Sequence, residues 1–303
     1  MSGPALSAGD LLSYSAGSTQ TGPDGFRKVN RGGLSLTAIV RAHWPHLLAP
    51  FGGRTPLVIN AYPATIGFPT DGAMVDCYLS PRTASRALQL AAREDMPVIL
   101  MCQSLFLAEL LFRHVAQGFA LPNAVMAIAG GYCTPHSLHA SLTQLLAAHG
   151  VPFTLLQGYG VAEVEAGMLW GVDYDAQGRV IYRPRGPDIH AQTIDGRLHL
   201  ALKDASGKLL NEPFDTGDDA TISGGDILIS NARSRLTPAV MQELESWDLN
   251  AWRRRTGYLG RHDGSLLFQL REGEQPADGR ELGHYLFGDR FGFSWLNKPR
   301  WGL

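Results

Sequence analysis

Between Leu57 and Gly160 short apolar runs alternate with helix-length segments, and this alternation constrains the fold more than any single residue. LVIN (57–60), PVILMC (97–102), AVMAIA (124–129) and PFTLLQGYG (152–160) read as strands. The stretches between them read as helices. Residues 81–94 open on Pro81, where a missing N–H costs little, and 103–118 close on Gly118. Residues 134–150 take Thr134 as N-cap, Pro135 as the first helical position and Gly150 as the stop. Strands that alternate with helices of this length specify βαβ units, hence an α/β fold with a mostly parallel sheet flanked by helices.

After about residue 168 the pattern changes. RVIYRP, GRLHLALKD, GKLLNEPF and DILISN are short and alternate in polarity, with turn sequences DAQG, IDG and DASG between them. A smaller β-rich, barrel-like subdomain is expected here, followed by a helix at 237–247. The expected domains are therefore 1–167 (α/β), 168–255 (β-rich) and 256–303 (a short C-terminal remnant).

Composition removes several classes. With 45% apolar residues and 18% charged in 303, the chain is not disordered. Residues 1–150 carry nine basic and seven acidic side chains and the remainder 17 and 21, so neither half has the basic excess of a nucleic-acid binder. No apolar run approaches the ~20 residues of a membrane span. MSGPALSAGDLL lacks the basic start and apolar core of a signal peptide, so a cytoplasmic location is expected. Cys77, Cys102 and Cys133 have no metal-ligand spacing and read as buried thiols. His43 and His46, and His136 and His139, stand at i, i+3 spacing but lack a nearby third ligand.

Four segments could carry chemistry. In SYSAGSTQTGPDGFRK (13–28), Ser15, Gly17, Ser18, Thr19, Thr21 and Gly22 interleave hydroxyls with glycine ahead of Arg27 and Lys28. Backbone N–H groups and hydroxyls in such a loop can converge on an anion, although a tail has the same composition. In Gly158–Glu163, glycines follow a strand, where open α/β sheets bind ligands. Glu163 there could hold Mg²⁺ or stabilise the first turn of a helix. Asp218, in FDTGDD, reads either as part of a hairpin turn or as a carboxylate that binds ribose hydroxyls. Gly260–Asp263 (GRHD) precedes another strand-like run, and a hairpin turn with a solvated Arg261 is the alternative there.

The order of these segments is more informative than any one of them. SAGSTQTGPDGFRK, AIAGGYCTPHSLHASL, LLQGYGVAE, FDTGDDATI and LGRHDG together resemble the acyl-adenylate-forming superfamily of acyl- and aryl-CoA synthetases, nonribosomal peptide adenylation domains and luciferases, over roughly 13–270. The resemblance implies that Ser15, Gly17, Ser18, Thr19, Thr21, Gly22 and Lys28 bracket an ATP triphosphate. It implies that Gly130, Gly131 and Tyr132 contact adenine or the acyl pocket, and that Tyr159 and Gly160 lie near adenine. Glu163 would hold Mg²⁺, Asp218 would take the ribose hydroxyls, and Arg261 would sit at a hinge near the ribose. Glu163 and Lys28 would be the catalytic residues. NAYPAT (60–65) resembles the segment that supplies an aromatic side chain to the acyl pocket, so Tyr62 is the candidate there.

The function implied is ATP-dependent activation of an aryl or fatty acid to an acyl-adenylate, with onward transfer to CoA or to the phosphopantetheine of a carrier protein. A complementing subunit or a homo-oligomer could supply missing parts. The alternative is a non-catalytic or partner-dependent derivative that keeps only nucleotide, acyl or partner binding. The sequence also departs from the family's pattern, and Ala162 and the missing C-terminal lysine favour the alternative. Ala162 replaces the motif's threonine, removing a hydrogen bond typically worth ~1 kcal/mol. Gln20 and Asp24–Arg27 are insertions, and more than 40 residues separate TGD from GRHDG. Against the family the chain is expected to be shortened at both ends. Of its four lysines (Lys28, Lys203, Lys208 and Lys298), only Lys298 lies downstream of GRHDG, without the family's PxTxxGK context, and Lys203 and Lys208 flank a turn.

Overall fold

A computed structural model describes residues 12–14, 26–28, 35–61, 72–77, 81–130, 133–161, 163–230 and 238–255. In chain order these form β1 (Leu12–Tyr14), β2 (Phe26–Lys28), α1 (Leu36–His43), β3 (Leu57–Asn60), β4 (Ala73–Asp76), α2 (Pro81–Arg93), β5 (Val98–Cys102), α3 (Ser104–Ala116), β6 (Val125–Gly130) and α4 (His136–Ala147). They continue with β7 (Phe153–Val161), β8 (Glu165–Tyr174), β9 (Val180–Pro184), β10 (Ile189–Ile194), β11 (Arg197–Leu202), β12 (Phe214–Ser223), β13 (Asp226–Ile229), α5 (Pro238–Glu245) and α6 (Leu249–Arg255).

Two compact units result, each discontinuous where the sequence reading has consecutive segments. The first takes in Met1–Leu48, Ala64–Asp71 and Leu156–Arg233; the second takes in Ala49–Pro63, Gly72–Leu155 and Ser234–Leu303.

The second unit is the α/β part. β4, β3, β5 and β6 lie side by side and parallel, in register from Leu57↔Val98 and Val98↔Val125 onward. Leu57 and Ile59, Val98, Leu100 and Cys102, and Val125, Ala127 and Ala129 face one core, which α2, α3 and α4 cover with Leu88, Leu107, Leu111, Leu142 and Leu146. The alternate residues Val58, Ile99, Met101 and Met126 are buried as well. Burial on both faces explains why these strands read as unbroken apolar runs. Leu244 of α5 and Trp252 of α6 join the same core.

Chain ends of these helices follow local chemistry with one exception. Gly118 (φ +69°) and Gly150 (φ +70°) adopt the left-handed conformation just past α3 and α4. At the start of α4, Pro135 rather than Thr134 is the N-cap and makes no side-chain cap bond. The Thr134 hydroxyl is instead 2.6 Å from Ser104 Oγ. The cap comes from α5: the Glu245 carboxylate accepts from His136 N–H at 2.7 Å and Ser137 N–H at 2.9 Å.

The first unit is the β-rich part. β7 to β9, then β13, β12, β11 and β10, pair antiparallel in that order. Among the described residues these strands make the β-rich part expected after the parallel segment. GKLLNEPF forms no strand ahead of Phe214; only an isolated bridge, Lys203↔Leu209, lies there. Trp44, just past α1, stacks on Trp170 of β8 with ring centroids 5.8 Å apart. β1 and β2 form a separate antiparallel pair in which Leu12 faces Lys28.

Candidate functional site

The site begins at the hairpin from β7 to β8. β7 carries Gln157, Gly158, Tyr159, Gly160 and Val161 into a tight turn, closed by Val164 N–H donating to Val161 O at 3.1 Å. The β7–β8 register shifts between Tyr159 and Val161, a bulge that changes the aim of the side chains around it. Glu163 sits in this turn. No helix follows it, so the reading of Glu163 as an acid in a first helical turn fails; β8 begins two residues later. Its Oε1 is buried and has no hydrogen-bond partner among the described residues.

Asp218 is also not in a hairpin turn. FDTGDDATIS is one strand, β12, with a distortion at its centre. Arg197 pairs Asp219 while His199 pairs Asp215, so a two-residue step along β11 spans a four-residue step along β12. Gly217 makes this possible at φ +77°, a conformation that costs other residues about 1–2 kcal/mol. The bulge is pinned locally: Thr216 Oγ1 donates to Leu198 O at 2.9 Å, and Gly217 N–H donates to Asp215 Oδ1 at 2.8 Å. Its effect is to turn Asp218 inward, leaving it 6% exposed.

There Asp218 meets Tyr159, whose hydroxyl donates to Asp218 Oδ2 at 2.6 Å across 59 residues of chain. The Tyr159 ring lies 5.9 Å from that of Tyr182, tilted by 57°. The structure thus joins two of the residues singled out from sequence, an aromatic ring and a carboxylate. Such a pair can bind a ligand that offers a planar face and neighbouring hydroxyls.

No group of three or more His, Cys, Asp or Glu side chains that could hold a metal occurs among the described residues. Among the described residues the candidate donor for Mg²⁺ is Glu163. Its buried, unpartnered oxygen is a hard donor, and Mg²⁺ is commonly bound by one or two carboxylates together with substrate phosphates.

Gly130 ends β6 in the second unit. Lys28 ends β2, opposite Leu12. Ser15, Gly17, Ser18, Thr19, Thr21, Gly22, Tyr62, Gly131, Tyr132, Ala162, Arg261 and Lys298 lie outside the described residues.

Sequence reasoning missed Arg185, which is 3% exposed just after β9. Its Nη2 is 3.1 Å from Asp188 Oδ2 and 3.8 Å from Glu165 Oε2, in the same unit as Glu163. Burying a guanidinium requires such carboxylates, but one sequence cannot show that this arginine is internal. Also missed is a buried pair in the second unit. Ser85 Oγ lies 2.9 Å from His114 Nδ1, and His114 Nε2 lies 2.9 Å from Ala120 O. The carbonyl requires an N–H at Nε2, which leaves Nδ1 to accept from the serine. Burial holds the His114 pKa below the ordinary histidine value.

The thiols behave as expected of structural cysteines. Burial pushes Cys77 up to about 12 and Cys133 up to about 11, with Asp76 and Glu245 respectively adding to the effect, and it raises Cys102 also. His43, His46 and His136 are exposed, while burial, helped by His136, lowers His139 to about 4. No helix among the described residues is long and apolar enough to cross a membrane.

No family model matches this chain, and no curated protein does. Among solved structures it is similar to an acyl-CoA synthetase (AMP-forming)/AMP-acid ligase II-like protein from Dyadobacter fermentans, at 14% identity and a TM-score of 0.47, with 73% of this chain covering 59% of that one. It is similar to a long-chain-fatty-acid-CoA ligase from Archaeoglobus fulgidus at 14% identity and a TM-score of 0.43, 73% covering 51%. It is also similar to an amide bond synthetase from Marinactinospora thermotolerans at 16% identity and a TM-score of 0.40, 72% covering 48%. The chain spans about half to three-fifths of the length of these proteins.

Proposed function

We propose that this chain binds an adenine nucleotide and a carboxylic acid and activates the acid as an acyl-adenylate. The observation that carries the reading is the Tyr159–Asp218 bond in the first unit. It supports a nucleoside subsite in which Asp218 accepts from ribose hydroxyls and the Tyr159 ring flanks the base. Glu163, four residues beyond Tyr159, would hold Mg²⁺ through its buried Oε1. When bound there, the ion would neutralise phosphate charge.

In the reaction a carboxylate oxygen of the acid forms a bond to the α-phosphorus of ATP. The bond from that phosphorus to the α–β bridging oxygen breaks, and pyrophosphate leaves with the electron pair. No proton has to move. The protein's contribution is positioning and charge stabilisation, which needs no covalent catalyst. Ser15, Gly17, Ser18, Thr19, Thr21, Gly22 and Lys28 would hold the phosphates and Arg261 the ribose side. Gly130, Gly131, Tyr132 and Tyr62 would shape the adenine and acyl subsites. Transfer to CoA or to a carrier protein, through a complementing subunit or a homo-oligomer, would follow as a separate step, in a cytoplasmic setting.

ATP–pyrophosphate exchange over a panel of aryl and fatty acids tests this reading. Exchange with at least one acid is expected, and silence across the panel refutes it. A second reading, a nucleotide-binding derivative without turnover, is favoured by Ala162 in place of the motif's threonine. Silent exchange with AMP binding retained would establish that one.

A further inference from the structure

We infer that Gln103 reads a hydrogen-bond donor on the ligand, so that the acid taken by this chain carries a hydroxyl or amino group rather than an unsubstituted hydrocarbon. This rests on the reading that the chain takes a carboxylic acid, and it names the class of that acid.

The second unit's sheet has the order β4-β3-β5-β6, all parallel, so all four strands end at one edge. In open α/β sheets, ligands bind outside that carboxyl edge. β3 ends there at Asn60 and β6 at Gly130, and β5, between them, ends at Cys102 with Gln103 next in the chain. Asn60 is 1% exposed and Gln103 is 9% exposed, so two amide side chains are buried at neighbouring strand ends.

Gln103 Oε1 is buried and has no hydrogen-bond partner among the described residues. Local structure does not use it. Gln103 is the N-cap residue of α3, yet its side chain makes no cap bond. Its backbone carbonyl accepts from Leu107 N–H at 2.9 Å, which is the helix's own bond. The next residue's hydroxyl, Ser104 Oγ, lies 2.6 Å from Thr134 Oγ1. Its chain neighbours Cys102, Ser104 and Leu105 are buried as well. A buried amide oxygen is costly unless something supplies a proton donor, so a leucine or methionine would suit a purely structural role better. A hydroxyl or amine on a ligand at this edge supplies that donor. A bare acyl chain would leave the oxygen unpaired.

The test is titration calorimetry on the full chain with matched acids: benzoate against 4-hydroxybenzoate and 4-aminobenzoate, their 2- and 3-isomers, and hexanoate against 6-hydroxyhexanoate. ATP–pyrophosphate exchange is run on the same acids. The chain should bind at least one donor-bearing acid about 10- to 100-fold more tightly than its bare counterpart. Gln103→Leu should erase the preference while keeping or raising Tm, and Gln103→Glu, which keeps an acceptor oxygen, should retain it. Gln103→Met serves as the apolar variant if the leucine variant does not fold. Equal binding within every pair, a preference that survives the apolar variant, or binding of none of the acids would overturn the inference. A Gln103-dependent preference without pyrophosphate exchange would leave it standing and refute adenylation instead.

Discussion

Replacing Asp218 with alanine gives the sharpest test of the nucleotide reading. The side chain is 6% exposed and accepts from Tyr159 Oη at 2.6 Å, a short O–H···O⁻ bond of the charge-assisted kind. Two ribose hydroxyls donating to the same carboxylate would each be worth about 1.5–3 kcal/mol, because the acceptor is ionised. Losing both predicts a fall in AMP affinity of at least about 100-fold, using 1.4 kcal/mol per factor of ten. Tyr159→Phe keeps the ring and removes the hydroxyl's bond to the carboxylate, so a smaller loss of roughly 5- to 10-fold is expected. In Asp218→Ala the Tyr159 hydroxyl loses its acceptor, which costs the fold about 1–3 kcal/mol; the double variant should recover part of that cost. Calorimetry with AMP reads the affinity, and thermal melts separate affinity from folding. An Asp218→Ala protein that melts cooperatively and binds AMP as tightly as the parent would refute the ribose assignment. An effect of Tyr159→Phe larger than that of Asp218→Ala would show that the phenol, not the carboxylate, carries the binding.

Glu163→Gln keeps volume and removes charge, so Mg-ATP affinity should fall about tenfold while metal-free AMP binding is unchanged; equal losses for both ligands would remove Glu163 from the metal role. His139, lowered to about 4 by burial and by His136, should make stability fall on acidification. The unfolded chain binds a proton near pH 6.5 that the folded chain refuses until about pH 4, so stability is fully present above 6.5 and declines below it. Between pH 7.5 and 5 the loss is about 2 kcal/mol in urea melts, and His139→Phe should remove most of this slope; an unchanged slope would show that other groups cause it. Glu245→Ala removes both acceptors at the start of α4 and should lower stability by about 1–2 kcal/mol, whereas a change within error would mean that solvent caps the helix equally well.

Much of the second unit was legible because its elements are specified locally. β5 and β6 are apolar runs buried on both faces, α2 starts at Pro81, and α3 and α4 end before Gly118 and Gly150. β8 was missed because EAGMLWGVDY carries two glycines and two acids and has no clean period of two. Its Gly171 lies where an added Cβ would come within 2.5 Å of Val180 Cγ1, so the glycine reflects close packing of β8 on β9 rather than a turn. The cap of α4 was misplaced for a related reason. Thr134 is a good N-cap by type, but Ser104 offers its hydroxyl a partner and Glu245, more than a hundred residues away, offers the helix a charged one.

By itself the sequence determined the parallel α/β segment, the β-rich character of the later segment, and Tyr159, Glu163 and Asp218 as candidates by residue type and motif. These depend on periodicity and side-chain type, which neighbours in the chain settle. Only the tertiary structure decided that Asp218 turns inward, that it bonds Tyr159, and that Gln103 is buried with an oxygen to spare. The first depends on a two-residue bulge against β11, the second on pairing across 59 residues, and the third on which groups fail to reach it. All three depend on residues distant in the chain, where periodicity and residue type carry no information.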